Sequence, residues 1–179
     1  MQLSKTGYYA DLGAYPALAL ALTATALRPP ESVVQVKWLI ACAIGAAGWT
    51  LAEYLIHRFC FHRLPVITRM HDMHHARPSA LIGAPLWSSL SVFGFGVFIP
   101  LWWLAGANVA SGVTTGLTIG YLWYVIVHTA VHRWRLDQSS FLYQVKLRHA
   151  QHHHGKQDGN FGVTTCVWDR FFGTIIGNN

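Results

Sequence analysis

The sequence predicts an all-α fold, an integral membrane bundle of about four transmembrane helices with a cytoplasmic histidine-rich cap. Three observations carry this. Hydrophobic residues make up 53% of the 179 and charged residues only 11%, against roughly 25% charged in soluble domains. The 55 residues from Pro78 to His132 contain no Asp, Glu, Lys or Arg. All eleven histidines fall in four clusters between His57 and His154.

Residues 8–27 are Ala/Leu-rich, interrupted only by Asp11, and end at Arg28-Pro29-Pro30, which reads as a first membrane helix. A cleaved leader is disfavoured, because the basic segment before it amounts to Lys5 alone. Residues 33–56 form a second helix, with Lys37 near its start able to snorkel and Glu53 one turn before His57. The uncharged stretch is too long for one crossing of a ~30 Å hydrocarbon core. The small, polar run Gly106-Ala107-Asn108-Val109-Ala110-Ser111-Gly112 predicts a fold point. The stretch is then a helical hairpin running out over about 81–104 and back over about 110–127, with Pro100 near its far end or kinking it. Residues 139–153 form a further helix. The tail from Gly159 to Gly173 mixes glycines with Phe161, Trp168, Phe171 and Phe172, which either anchor a compact cap at the membrane surface or line a site. The length suits one domain, residues 1–179, with a histidine-rich core over about 53–174.

Four crossings place every histidine cluster on one side. Lys5, Arg58, Arg63, Arg69, Arg77, Arg133, Arg135, Lys146, Arg148, Lys156 and Arg170 share that side, and only Arg28 and Lys37 fall opposite. Basic residues favour the cytoplasm, so the histidines face it. The net charge of +6 follows from this topology, and no nucleic-acid-binding module accompanies it. Cys42, Cys60 and Cys166 form no CxxC pair, so neither a disulfide framework nor a zinc-finger site is indicated.

The clusters read His57-Arg58-Phe59-Cys60-Phe61-His62, His71-Asp72-Met73-His74-His75, His128-Thr129-Ala130-Val131-His132 and His149-Ala150-Gln151-His152-His153-His154. Histidines at i, i+3 and i+4 point the same way from a helix. That pattern holds at 71/74/75 and 149/152/153, with an i, i+4 pair at 128/132. The i, i+5 pair 57/62 needs a helix end or a turn. Imidazole gives up its proton at little cost near neutral pH and is the commonest metal ligand. Without His154 the clusters offer ten nitrogens, about right for two ions of five each.

A carboxylate-free, all-histidine set lacks the HExxH helix of hydrolytic zinc sites. Two metals held by neutral imidazoles suit redox iron with O2 as co-substrate, and such sites also accept zinc in a purified sample. The membrane setting argues for a lipid substrate entering between helices. Glu53, Asp72, Asp137, Asp158 and Asp169 are candidates to receive the histidines' second N–H.

The order HxxxxH, HxxHH, HxxxH, HxxHH resembles the fatty acid hydroxylase and sterol desaturase superfamily of membrane di-iron enzymes. The tail Asn160-Phe161-Gly162-Val163-Thr164-Thr165 and Trp168-Asp169-Arg170-Phe171-Phe172-Gly173-Thr174 is similar to that superfamily's C-terminal signature. The first cluster most resembles the fatty acid 2-hydroxylases, although the gap from His62 to His71 is shorter and closer to that of bacterial carotenoid hydroxylases. The resemblance implies metal ligands at His57, His62, His71, His74, His75, His128, His132, His149, His152 and His153, with His154 outside the pattern. It also implies a di-iron oxygenase hydroxylating a fatty acyl chain. The resemblance also implies electrons from a separate donor, cytochrome b5-like or ferredoxin-type, and no fused cytochrome b5 domain is expected before the first helix. Desaturation, or hydroxylation of a sterol or carotenoid, remains open on the same ligands. A metal transporter is the alternative of a different class, but it would place ligands near the bilayer midplane.

Overall fold

The computed structural model describes residues 1–27 and 31–177. The predicted turn at Arg28-Pro29-Pro30 lies outside them. Among the described residues the regular elements are all helices: α1 (Lys5–Tyr9), α2 (Asp11–Leu27), α3 (Ser32–Leu55), α4 (Pro65–Ala76), α5 (Leu86–Ser91), α6 (Ile99–Arg133), α7 (Phe141–His154) and α8 (Val167–Phe171). Two π-helical segments join them, Ile56–Phe61 after α3 and Val92–Phe98 after α5. Two stretches, Ser32–Phe61 of 30 residues and Leu86–Arg133 of 48, are long and apolar enough to cross a membrane. The chain divides into two compact units, residues 1–49 with 83–122 and residues 50–82 with 123–179.

In the first unit, α6 is broken at Gly106, whose φ of 84° and ψ of 164° take it out of the helix. Glycine adopts this backbone without a Cβ penalty. The break reverses the chain. An unbroken helix would separate Phe93 from Tyr121 by ~42 Å, yet their rings lie 5.6 Å apart. The expected hairpin therefore forms, turning on the first residue of the expected run. Pro100 sits before the turn. It lacks an N–H and crowds the preceding carbonyl, and the helix accommodates it by π pairing just upstream, where the Ile99 N–H donates to the Gly94 carbonyl.

The returning limb packs on α3 along a glycine seam. A Cβ on Gly112 would lie 2.7 Å from the Trp38 carbonyl, on Gly116 2.0 Å from that of Cys42, and on Gly120 2.5 Å from Trp49 Cβ. From the other side, a Cβ on Gly45 would meet the Val113 carbonyl at 2.2 Å. This spacing of every fourth residue lets helix backbones approach closely where lipid offers no hydrophobic drive between helices. Trp38 Nε1 donates to Ser111 Oγ across the seam at 3.1 Å. An aromatic cluster of Tyr15, Trp49, Phe93 and Tyr121 fills the interior, and the Tyr121 hydroxyl donates to Asp11 at 2.5 Å. Outward, Leu20, Leu39, Ile44, Phe95, Trp103 and Leu104 are exposed, a lipid-compatible surface.

In the second unit, Val127 and Val131 of α6 pack with Val145 of α7 and Val163 of the tail, flanked by Tyr124 and Leu142. Buried Tyr54 ties the end of α3 to the tail, its ring stacked 5.3 Å from Phe172 and its hydroxyl 3.1 Å from that of Thr174.

Candidate metal centre

Each histidine cluster owes its direction to local backbone. The π segment Ile56–Phe61 follows α3 directly. Pairing from i to i+5 brings residues five apart onto one side, and the His57 and His62 rings lie 5.3 Å apart. The unusual spacing of the first cluster is thus matched by an unusual helix. Pro65 starts α4 at a position where its missing N–H costs nothing, and α4 carries His71, His74 and His75 in its last turns. His128 and His132 occupy the last turns of α6. Ser140 caps α7 by accepting from the Tyr143 N–H at 3.2 Å, and α7 presents His149, His152 and His153.

These ten residues, all in the second unit, form two groups of five: His57, His62, His71, His75 and His152, and His74, His128, His132, His149 and His153. Within each group the ligand atoms lie within 4.8 Å of one another. Neither group holds a carboxylate. In the first, His71 Nε2 is 3.1 Å from His57 Nε2, 3.1 Å from His62 Nε2 and 3.0 Å from His75 Nε2, and His62 and His152 are separated by 3.3 Å. In the second, His132 Nε2 lies 3.1 Å from His74, 3.2 Å from His128 and 2.8 Å from His149, and His149 lies 3.1 Å from His153. His154 is exposed and belongs to neither group.

Hydrogen bonding alone does not account for such a convergence. His57 Nδ1–H donates to the Phe161 carbonyl at 2.6 Å, and His152 Nδ1–H donates to the Gly159 carbonyl at 2.8 Å. A carbonyl only accepts, so both rings carry their proton on Nδ1 and present bare lone pairs on Nε2. His71 has one proton for three neighbours. Lone pairs gathered at ~3 Å repel unless a cation sits among them, and ~2.1 Å metal–nitrogen bonds at right angles span roughly 3.0 Å between nitrogens. The residues present therefore fit a metal ion in each group.

Electrostatics keeps the ligands neutral. Burial lowers His71 to about 2, with further push from His75 and His62. Burial likewise lowers His74 to about 4 and His152 to about 3. His75, His149 and His153 move the same way, again mainly through burial. His62 is lowered by burial and partly held up by the charges of Asp158 and Asp72. Unprotonated imidazole at neutral pH is the form that binds metal.

The acidic candidates divide by what they touch. Glu53 and Asp169 are buried, and both grip the loop after Gly159. Glu53 accepts from the N–H groups of Val163 at 2.6 Å and Thr164 at 2.8 Å, and from the Thr164 hydroxyl at 2.6 Å. Asp169 accepts from the N–H groups of Phe161 and Gly162, each at 2.8 Å, and from the Thr174 hydroxyl at 2.7 Å. Asp72 and Asp158 are exposed and reach His62 only through their field. Asp137 is held in its own turn by Ser139, whose N–H and hydroxyl keep its carboxyl low. Of the tail aromatics, Phe161 is buried against His57, His62 and His152, whereas Phe171 and Phe172 are exposed.

Asn160 escapes a reading based on motif spacing. It takes a left-handed φ of 53°, which asparagine tolerates. Its side chain accepts from the Ile176 N–H and donates to the Ile176 carbonyl and to Gln151.

Comparison with known proteins agrees with this geometry. Residues 42–174 match the profile of a family described as fatty acid hydroxylase. The chain is 36% identical over 159 residues to a fatty acid 2-hydroxylase of Rattus norvegicus, covering 82% of this chain and 41% of the relative. It is 31% identical over 152 residues to the dihydroceramide fatty acyl 2-hydroxylase FAH2 of Arabidopsis thaliana, covering 75% of this chain and 60% of the relative. The chain thus spans about two fifths to three fifths of the length of these relatives. A solved structure described as full-length Scs7p, with only the hydroxylase domain visible, superposes with a TM-score of 0.79 at 26% identity, over 97% of this chain and 68% of that one. A profile match over most of the chain and relatives above 30% identity lead to one conclusion: the chain belongs to the fatty acid hydroxylase family.

Proposed function

We propose that this chain is an integral membrane, O2-dependent non-haem di-iron hydroxylase acting on a fatty acyl chain of a lipid. The observation that supports it most directly is the pair of five-histidine groups without a carboxylate. The balanced reaction takes one C–H bond, O2, two electrons and two protons, and yields one C–OH and one water. The electrons come from a separate donor, cytochrome b5-like or ferredoxin-type. The names of the relatives favour the second carbon of the acyl chain.

Iron bound by His57, His62, His71, His75 and His152, and by His74, His128, His132, His149 and His153, would supply the redox chemistry that activates O2 toward an unactivated C–H bond. The protein's part is to hold the ligands neutral and aimed. Burial does the first. The π segment, the last turns of α4, α6 and α7, and the tail carbonyls do the second. Phe161 covers the first group and limits water beside it. The charge bias of the sequence supports a cytoplasmic position for both groups, within reach of the separate electron donor.

The test is turnover in lipid nanodiscs. The purified chain, loaded with iron and given a reductase-coupled donor, is supplied with 18O2 and a ceramide or free fatty acid. One 18O atom in the product supports the proposal. A product that instead lacks two hydrogens makes the chain a desaturase, and 18O entering only from labelled water contradicts an oxygenase.

A further inference from the structure

The two histidine groups are supported differently. We infer that the C-terminal segment, gripped by Glu53 and Asp169, is a positioning strap for the first group alone, so that the two metal ions are held with unequal tenacity. This rests on the proposed metal-binding reading.

Two carbonyls two residues apart, of Gly159 and Phe161, fix the Nδ1 protons of His152 and His57. Both carbonyls belong to a loop with little freedom. Asp169 takes the N–H groups of Phe161 and Gly162, and Glu53 takes those of Val163 and Thr164. Four successive amides are thereby bound by two buried carboxylates. The glycines are required by space. A Cβ on Gly159 would lie 2.4 Å from the Thr174 carbonyl, and one on Gly162 2.0 Å from that of Thr165. The Asn160 N–H also donates to the Thr174 carbonyl, at 2.9 Å, which locks the loop to the strand of tail beyond α8. Both carboxylates act here on the N–H and hydroxyl groups of the loop. Their effect passes through the loop, as positioning residues.

The second group lacks this support. His74, His149 and His153 each have a buried Nδ1 with no hydrogen-bond partner among the described residues. Metal-binding histidines depend on such partners for ring orientation and basicity, and losing one typically weakens binding by ~10–100-fold. The first ion is therefore the retained one and the second the labile one.

The experiment is graded chelation of the full-length chain loaded with iron(II) in detergent, with metal counted against time by mass spectrometry. Wild type should release two ions per chain in two phases. His149→Ala should keep only the slow ion, and His71→Ala only the fast one. Asp169→Asn and Glu53→Gln should speed the slow phase by about 10–100-fold and leave the fast phase unchanged. Where circular dichroism shows that either variant fails to fold, Thr164→Val, which removes only the hydroxyl bond to Glu53, gives the deciding measurement, with a smaller change in the same phase. Release of both ions at one rate overturns the inference, as does an equal effect of the strap variants on both phases. A chain that binds no metal contradicts the proposed function instead.

Discussion

At the residue scale, ligand identity makes the most direct claim. His74 belongs to one group and His152 to the other, while His154, on the same α7, belongs to neither. Replacing His74 or His152 with alanine should lower bound metal by about one ion per chain and abolish turnover, whereas His154→Ala should change neither measurably. Elemental analysis of the purified variants checks this. A second prediction concerns pH. His71, His74 and His152 are held below the ordinary value of 6.5 in the folded chain by burial. The unfolded chain therefore takes up protons first as pH falls, so these groups cost stability below about 6.5 and add stability as pH rises toward it. The metal-free protein should melt at progressively lower temperature from about pH 7 to about pH 5, by differential scanning fluorimetry. A midpoint that rises on acidification would contradict the burial of these rings. Helix spacing in the sequence predicts which histidines share a face at 71/74/75, 128/132 and 149/152/153, whereas the 57/62 pair needs the π segment. How they divide into two sets was not legible, since His71 and His75 join the first group while His74, between them, joins the second. That division depends on how the π segment, α4, α6 and α7 meet.

At the element scale, two helix distortions shape the fold. The π segment at Ile56–Phe61 answers the spacing of the first histidine pair, and the one at Val92–Phe98 precedes Pro100. The sequence pointed to both places, through an odd spacing and a proline, without naming the geometry. The hairpin turn was legible from its small residues, although the tertiary structure narrows the expected seven-residue run to Gly106 and leaves Ala107 onward helical. The seam of Gly112, Gly116 and Gly120, and α3 as its partner, emerge only in the structure. The seam gives a paired prediction. Gly116→Ala places a methyl group into the Cys42 backbone, so it should destabilise by at least ~1–3 kcal/mol. Gly48→Ala, in the facing helix α3 and with nothing within 4 Å of the new Cβ, should be neutral or stabilising by up to ~1 kcal/mol. Thermal unfolding in detergent compares them. Equal effects would contradict the close seam.

At the scale of the whole molecule, the sequence predicts a membrane topology and the structure supplies the folded units. The charge bias predicts that the hairpin tip and the histidine-bearing segments face opposite sides of the membrane. Cysteine replacing exposed Ala107 should react with an impermeant thiol reagent from outside the cell, and cysteine replacing exposed Gln157 should react only after permeabilisation. Labelling in the reverse sense would invert the topology and move the donor to the other face. Family membership, the all-helical architecture and the histidine pattern support the proposal of lipid hydroxylation, and that proposal has one direct test. Total lipids from cells expressing the wild-type chain should be compared by mass spectrometry with those from cells expressing His74→Ala at equal abundance. A fatty acyl lipid class should gain one oxygen only with the wild-type chain. Identical lipids in both, with wild-type protein that carries both metal ions and has its electron donor present, would contradict the proposal.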